Sequence, residues 1–125
     1  MPQGYDTRRF GTPTQRFCQA LELQDDSRLI AEYRKAHSRE HFWKEIGEGI
    51  RAVGILEMEI YIAGNKLVMV AEAPAGFDWD GAMARLATLP RQAEWEDFVA
   101  AFQRCRPGAS SGEKWQPMER IFHLY

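Results

Sequence analysis

Tyr33 and His37 are the two side chains in this chain whose types and spacing are best suited to chemistry. They lie four residues apart in LIAEYRKAH, so on a helix one stands directly above the other. Leu29, Ile30, Tyr33 and His37 follow a single stripe of helical spacing, the face that a surface helix turns toward its core. An imidazole with an ordinary pKa near 6.5 gives and takes protons around neutrality, and a phenol with a reference pKa of about 10 is a donor. Such a pair suits general acid–base proton transfer. The same spacing also fits a structural pair, a helix-end histidine satisfied by solvent or a carbonyl beside a core tyrosine with its hydroxyl at the rim. The two readings separate on one question, whether His37 faces an enclosed cavity that Tyr33 shares.

The helix carrying the pair has a clear start. Asp25, Asp26 and Ser27 offer side-chain oxygens to cap the orphan amides of a first turn, and the apolar stripe follows at once. The spacing predicts a helix to about His37. Ser38, Arg39 and Glu40 weaken the pattern before Phe42, Trp43, Ile46, Ile50 and Val53 resume it, which predicts a bend or short loop within one long helical region ended by Gly54. Before the helix, Arg16–Leu23 (RFCQALEL) is short, compatible with β structure and bounded by Gln24-Asp25-Asp26, so it is expected to form the first strand. Residues 1–14 hold glycine, proline and charge without a period and without the apolar centre of a signal peptide. They are expected to be a disordered leader, leaving 15–125 as a single domain.

The stretch GILEMEIYIAGNKLVMVAE is the strongest hairpin signal, two β-rich runs joined by Gly64-Asn65, residues that tolerate positive φ. With those two as the loop, Ile62 faces Leu67, Ile60 faces Met69 and Met58 faces Ala71 on one side of the sheet. The other side carries Glu57, Glu59, Tyr61, Val68, Val70 and Glu72. One layer of helices covers only the first side, so the half-apolar second side is expected to meet another subunit, a homodimer through the sheet, or to form a wet groove. Glu57 and Glu59 stand two apart on that outward side, where carboxylates are more often solvated or ion-paired than catalytic.

Asp78 is placed to cap a short helix over Trp79–Leu86, and Pro90 starts another. In the latter, Trp95, Phe98, Val99 and Phe102 have the spacing of a buried stripe. Pro107 and Gly108 close it and open a flexible ASSGE loop. The last segment, KWQPMERIFHLY, alternates as a final strand with Ile121, His123 and Tyr125 opposite Phe122 and Leu124, and Pro117 moves its start to or past that point, or puts it on an edge. Strand, long helix, hairpin, split helix and strand, with helices on one face of an antiparallel sheet, make a ferredoxin-like α+β fold in βαββαβ order.

Composition narrows the function classes. The chain has 125 residues, 45% hydrophobic and 27% charged, which suits one domain with a real core. Sixteen basic against 18 acidic residues leave a formal charge of -2, so neither nucleic acid nor a polyanion is an expected partner. The longest apolar runs are strand-sized and broken by glutamates, so no membrane span is expected. Cys18 and Cys105 are too far apart for a metal knuckle or a redox pair, which points to reduced thiols in a cytoplasmic protein.

Four segments, DDSRLIAEYRKAH, GILEMEIYIAGNKLVMVAE, QAEWEDFVAAFQ and PGASSGEKWQPMERIFHLY, together resemble the L-rhamnose mutarotase family, and more closely its L-fucose mutarotase branch, from about Arg16 to Tyr125. The resemblance implies a dimeric α/β barrel of two ferredoxin-like subunits packed sheet to sheet, each with its own sugar pocket. It also implies an aldose 1-epimerase that uses no cofactor and no metal and acts on the anomeric carbon of a 6-deoxy-L-sugar. On this resemblance the catalytic histidine falls on His37 and a substrate-binding tyrosine on Tyr33. A second pocket tyrosine of the rhamnose branch is replaced here by Met58, and the first member of a tryptophan pair by Glu94, with Trp95 kept. Those departures favour L-fucose over L-rhamnose. Trp43 lies six residues after His37 where the family commonly has four, which implies a two-residue insertion within Ser38–Phe42 and leaves His41 and Trp43 without assigned roles.

The chemistry implied is the opening of a hemiacetal, in which the anomeric hydroxyl loses a proton and the ring oxygen gains one. His37 suits the proton transfer, Tyr33 orients the sugar or shares in it, and Glu94 is an alternative base. The apolar face and methyl group of a 6-deoxy sugar suit an aromatic wall, for which Trp95 is the first choice with Trp115 and Trp43 behind it. Two other classes compete. One is a non-catalytic sugar-binding module on the same scaffold. The other is a haem-using oxygenase with His37 or His123 as axial ligand, which the polar Glu57, Glu59 and Glu94 argue against.

Overall fold

A computed structural model describes residues 3–125. Strand β1 (Thr14–Glu22) leads through Asp26, whose carboxylate accepts from the amides of Arg28 and Leu29, into helix α1 (Ser27–Ala36). Helix α2 (Lys44–Ala52) follows, and then the hairpin of β2 (Glu57–Ala63) and β3 (Lys66–Pro74). Helices α3 (Trp79–Leu86), α4 (Gln92–Ala100) and α5 (Ser111–Lys114) precede a two-residue strand β4 (Gln116–Pro117). The sheet is antiparallel in the order β2-β3-β1-β4, the ferredoxin-like arrangement. No helix among the described residues is long and apolar enough to cross a membrane.

The hairpin register is the one expected: Ile62 opposite Leu67, Ile60 opposite Met69 and Met58 opposite Ala71. Leu21, Leu67, Met69, Ala71 and Ala73 are buried beneath the helices. On the other face Val68, Val70 and Cys18 are half-buried and Tyr61 is exposed, its hydroxyl donating to Glu59 at 3.0 Å. Glu57 pairs with Arg8 at 3.7 Å. Residues 3–13 hold no helix or strand, although Tyr5 meets the Tyr61 ring edge-on and Arg8 donates to the Leu56 carbonyl at 3.1 Å.

The break expected after His37 is a turn over 37–43 that separates two helices and satisfies its amides locally, with His41 and Phe42 both donating to the Ser38 carbonyl. Three details differ from the sequence expectations. Phe98 is not core: it is 40% exposed and stacks on Trp43 at 5.4 Å, since α4 buries Gln92, Trp95 and Val99 and rotates Phe98 off that stripe. The ASSGE loop is partly helical, because Glu113 reaches back to accept from the Ser110 amide at 2.9 Å and starts α5. The final strand stops at Pro117, which has no N–H for a ladder. After Met118 donates to the Cys18 carbonyl the chain leaves the sheet, with Ile121, Phe122, Leu124 and Tyr125 exposed.

Candidate functional site

A cavity of about 440 Å³ opens between the covered face of the sheet and the helices, within the range of roughly 300–1,000 Å³ usual for small-molecule sites. Tyr33 and His37 both line it, so the half-buried imidazole faces a cleft that the phenol shares. Met58 from β2, Trp95 from α4 and Trp115 after α5 line it as well. Glu94 does not. Trp95 faces inward, so Glu94 one position earlier is turned about 100° away, and it lies outside in a forked ion pair with Arg91, 3.2 and 2.9 Å long. That guanidinium holds the Glu94 carboxyl below its ordinary range, the reverse of what an acid working at neutral pH needs.

His37 is the residue at which α1 ends, and its Nδ1 lies 2.8 Å from the Tyr33 carbonyl. A carbonyl only accepts, so in the neutral ring Nδ1 carries the hydrogen and Nε2 keeps a free lone pair. The ring packs against Tyr33 with centroids 4.4 Å apart and against the Trp95 ring at 5.3 Å. Burial pushes its pKa below the usual value, and the bond to the Tyr33 carbonyl opposes that only in part. At pH 7 the imidazole is therefore mainly a neutral base.

Tyr33 is buried, and its pKa is pushed up to about 12, first by burial and further by the negative charge of Glu96, while the Gln103 amide acts the other way. It stays a protonated hydrogen-bond donor at any physiological pH. Trp43 backs Trp95 edge-on at 5.2 Å from outside the cavity, with the Arg91 guanidinium over its other surface at 4.1 Å. His41 lies on the exposed turn with its Nδ1 3.0 Å from the Ser38 hydroxyl. Neither is among the cavity-lining residues.

Among the cavity residues that escaped the sequence reading are Gln92, Glu96 and Gln103. The side-chain oxygens of Gln92 and Gln103 are buried without a partner, which leaves two acceptors for hydroxyl donors. The signal for Glu96 was present. Positions 92, 95, 96 and 99 have the same i, i+3, i+4, i+7 spacing as 95, 98, 99 and 102, but counting hydrophobic residues favours the second set. Lys114 is buried beside Glu96, donating to its main-chain carbonyl at 2.9 Å, with Nζ 3.4 Å from the carboxylate. Among the described residues no group of three or more His, Cys, Asp and Glu could hold a metal ion. A neutral base, a phenol donor, a buried carboxyl, two free amide oxygens and two indole walls together suit a small polyhydroxylated molecule that must exchange protons.

Relatives give these features a context. Over 110 residues the chain is 39% identical to an L-fucose mutarotase of Xanthomonas campestris, with 88% of each chain covered. It is 36% identical over 112 residues to a UPF0734 protein of Dictyostelium discoideum, covering 86% of this chain and 88% of that one. Its fold is similar to the crystal structure of an L-rhamnose mutarotase from Formosa agariphila, with a TM-score of 0.66 at 19% identity over 89% of this chain and 99% of that one. The profile of the L-rhamnose mutarotase family matches residues 16–124, from the first strand through the cavity-forming helices to the C-terminal segment, and the chain belongs to that family.

Proposed function

We propose that this protein is a cofactor-independent sugar mutarotase that interconverts the α and β anomers of a 6-deoxy-L-sugar, L-fucose before L-rhamnose. The observation that carries the reading is the cavity shared by His37 and Tyr33 in a chain of this family. The Nε2 lone pair of His37 takes the proton of the anomeric hydroxyl as the bond from C1 to the ring oxygen breaks. The free aldehyde then turns and recloses on its other face. Tyr33 donates to a sugar oxygen and orients the ring, and Trp95 and Trp115 offer apolar surface to the C–H face and the methyl group. The identity of 39% to an L-fucose mutarotase supports L-fucose. So do Met58 and Glu94, where the rhamnose branch has aromatic residues.

The protein acts as a homodimer packed through the open face of the sheet, in the cytoplasm. Half-buried Val68, Val70 and Cys18 on that face, and exposed Ile121, Phe122 and Leu124 beyond the last strand, support the first, and two free thiols support the second. Exchange NMR on L-fucose and L-rhamnose tests the activity: the protein speeds exchange between anomers, and faster for L-fucose. Saturable sugar binding without faster exchange would make it a sugar-binding module instead. A monomer by light scattering at micromolar concentration would remove the dimer.

A further inference from the structure

Opening the ring needs two proton-transfer sites, one at the anomeric hydroxyl and one at the ring oxygen. His37 supplies the first. A catalytic acid works best with a pKa near the operating pH, and Tyr33, pushed up to about 12, holds its proton too tightly for that. We propose that Glu96 is the second proton-transfer residue, delivering a proton to the ring oxygen in the cavity it shares with His37, and that Lys114 is the residue that positions it. The inference rests on the mutarotase reading above.

The geometry behind it is specific. Glu96 lines the same cavity as His37, Tyr33 and Trp95, one helical turn from Gln92 on α4. Its side chain is 12% exposed, and that of Lys114 is 1% exposed. Lys114 fastens to the Glu96 main-chain carbonyl at 2.9 Å and approaches one carboxylate oxygen at 3.4 Å, while the Gln92 amide lies 3.4 Å from the other. Both carboxylate contacts are long, which leaves the oxygens available to a ligand. A buried ion pair adds little stability compared with apolar residues of the same size, so a positioned carboxyl at the cavity wall is better explained by use.

The electrostatics agree. Burial raises the Glu96 pKa, and Lys114 restrains the rise. The other charged or titratable groups around the cavity and on the same helix are Tyr33 and His37 at α1, Arg51 from α2, Glu94 and Asp97 on α4, and Arg8 and Glu57, which also line the cavity. Burial raises Glu96 and lowers His37, so the two groups move toward each other, as suits an acid and a base of one reaction. In the forward step the hydroxyl proton passes to His37 Nε2, and the O–H electrons become the second bond of the aldehyde. The electrons of the bond from C1 to the ring oxygen go to that oxygen, which takes the Glu96 proton. Reclosure returns both protons.

The test uses the full chain, with kcat and KM for anomer exchange measured across pH by NMR. Glu96→Gln with Lys114→Met removes both charges together and so avoids stranding a buried ammonium. We expect kcat to fall about 10²-fold or more with KM little changed, and the alkaline limb of the pH profile to vanish. Lys114→Met alone should move that limb to higher pH, because the charge that held the carboxyl down is gone, a shift that a merely structural lysine would not cause. Glu96→Asp keeps the charge for Lys114 but retracts the carboxyl by one methylene, and should lower kcat while keeping both limbs. Wild-type kcat in the double variant, a loss confined to KM, or full rate in Glu96→Asp overturns the proton-transfer role of Glu96. An unmoved limb in Lys114→Met overturns the positioning role of Lys114. If these results come with a wild type that speeds exchange and depends on His37, the mutarotase reading stands without Glu96; a wild type that does not speed exchange ends both.

Discussion

Replacing His37 by Asn separates its chemistry from its place in the packing. The Asn amide can still donate to the Tyr33 carbonyl that now holds Nδ1 at 2.8 Å, but it cannot carry a proton between oxygens. Loss of general acid–base assistance lowers kcat by about 10²–10⁴, which is about 2.7–5.5 kcal/mol of barrier. His37→Ala should lose the same activity and also stability. It gives up ring contacts with Tyr33 and Trp95, each worth about 0.5–1.5 kcal/mol, so about 1–3 kcal/mol in total. The pH dependence has a definite sign. Burial lowers the folded pKa of His37 below 6.5, so at least about three-quarters of the rings are neutral at pH 7. Activity rises with pH, and its acid limb has a midpoint below 6.5. Stability follows the same group: its contribution is full above the unfolded pKa and is lost as pH falls through the lowered folded pKa, because the unfolded chain takes up the proton first. Exchange NMR from pH 5 to 8, with urea unfolding at both ends, measures all of this. An Asn variant as fast as wild type, or an acid limb centred above 6.5, would refute the assignment of His37 as the base.

Tyr33→Phe tests the raised phenol. Since the folded pKa is about 12 against an unfolded value near 10, Tyr33 contributes up to about 2.7 kcal/mol that is present below pH 10 and lost as pH rises toward 12. The Phe variant should show a shallower fall of the urea midpoint over that window and a higher KM, and an unchanged fall would contradict the burial argument. Gly54→Ala tests the turn that leads from α2 into β2. At φ +103 its new Cβ would lie 3.0 Å from the Phe77 ring, whereas Gly64 at φ +61 has open space around it. Gly54→Ala should cost about 1–3 kcal/mol and more than Gly64→Ala; equal costs by urea unfolding would mean that Phe77 yields without penalty.

What could be read from the sequence was whatever had a strict local period or a cap. The hairpin register followed from period-2 alternation around Gly64-Asn65, because a slip by one residue would turn Met58, Ile60 and Ile62 out into solvent. Helices α1 and α3 began where Asp26 and Asp78 offered oxygens to free amides, and both carboxylates do accept them. The stripe on α1 carries Tyr33 and His37, and both line the cavity. On α4 two stripes had equal spacing, and hydrophobicity chose the one containing Phe98, hiding Gln92 and Glu96. The partner of Glu96 comes from α5, eighteen residues further along the chain, and no local pattern reveals a contact of that kind. The C-terminal alternation was real but insufficient, since a strand also needs an unpaired neighbour and Pro117 ends the ladder against β1.

Over most of this domain, burial and polarity agree: the side chains beneath the helices are Leu, Met, Ala and Val. Apart from Gln19, the exceptions gather at one place, where a neutral histidine, a carboxyl with a buried lysine and two unpartnered amide oxygens border a single cavity. Each is unfavourable for folding alone, since a buried polar group without its full set of partners costs about 1–3 kcal/mol. Local inconsistencies of this kind concentrate where a protein uses them. In the proposed reaction a sugar would supply the missing partners, its hydroxyls donating to Gln92 and Gln103 and its hemiacetal oxygens meeting His37 and Glu96. The reading of polarity as a site therefore predicts that ligand binding stabilises the fold, and that the gain is smaller when Gln92 or Gln103 is replaced by Leu.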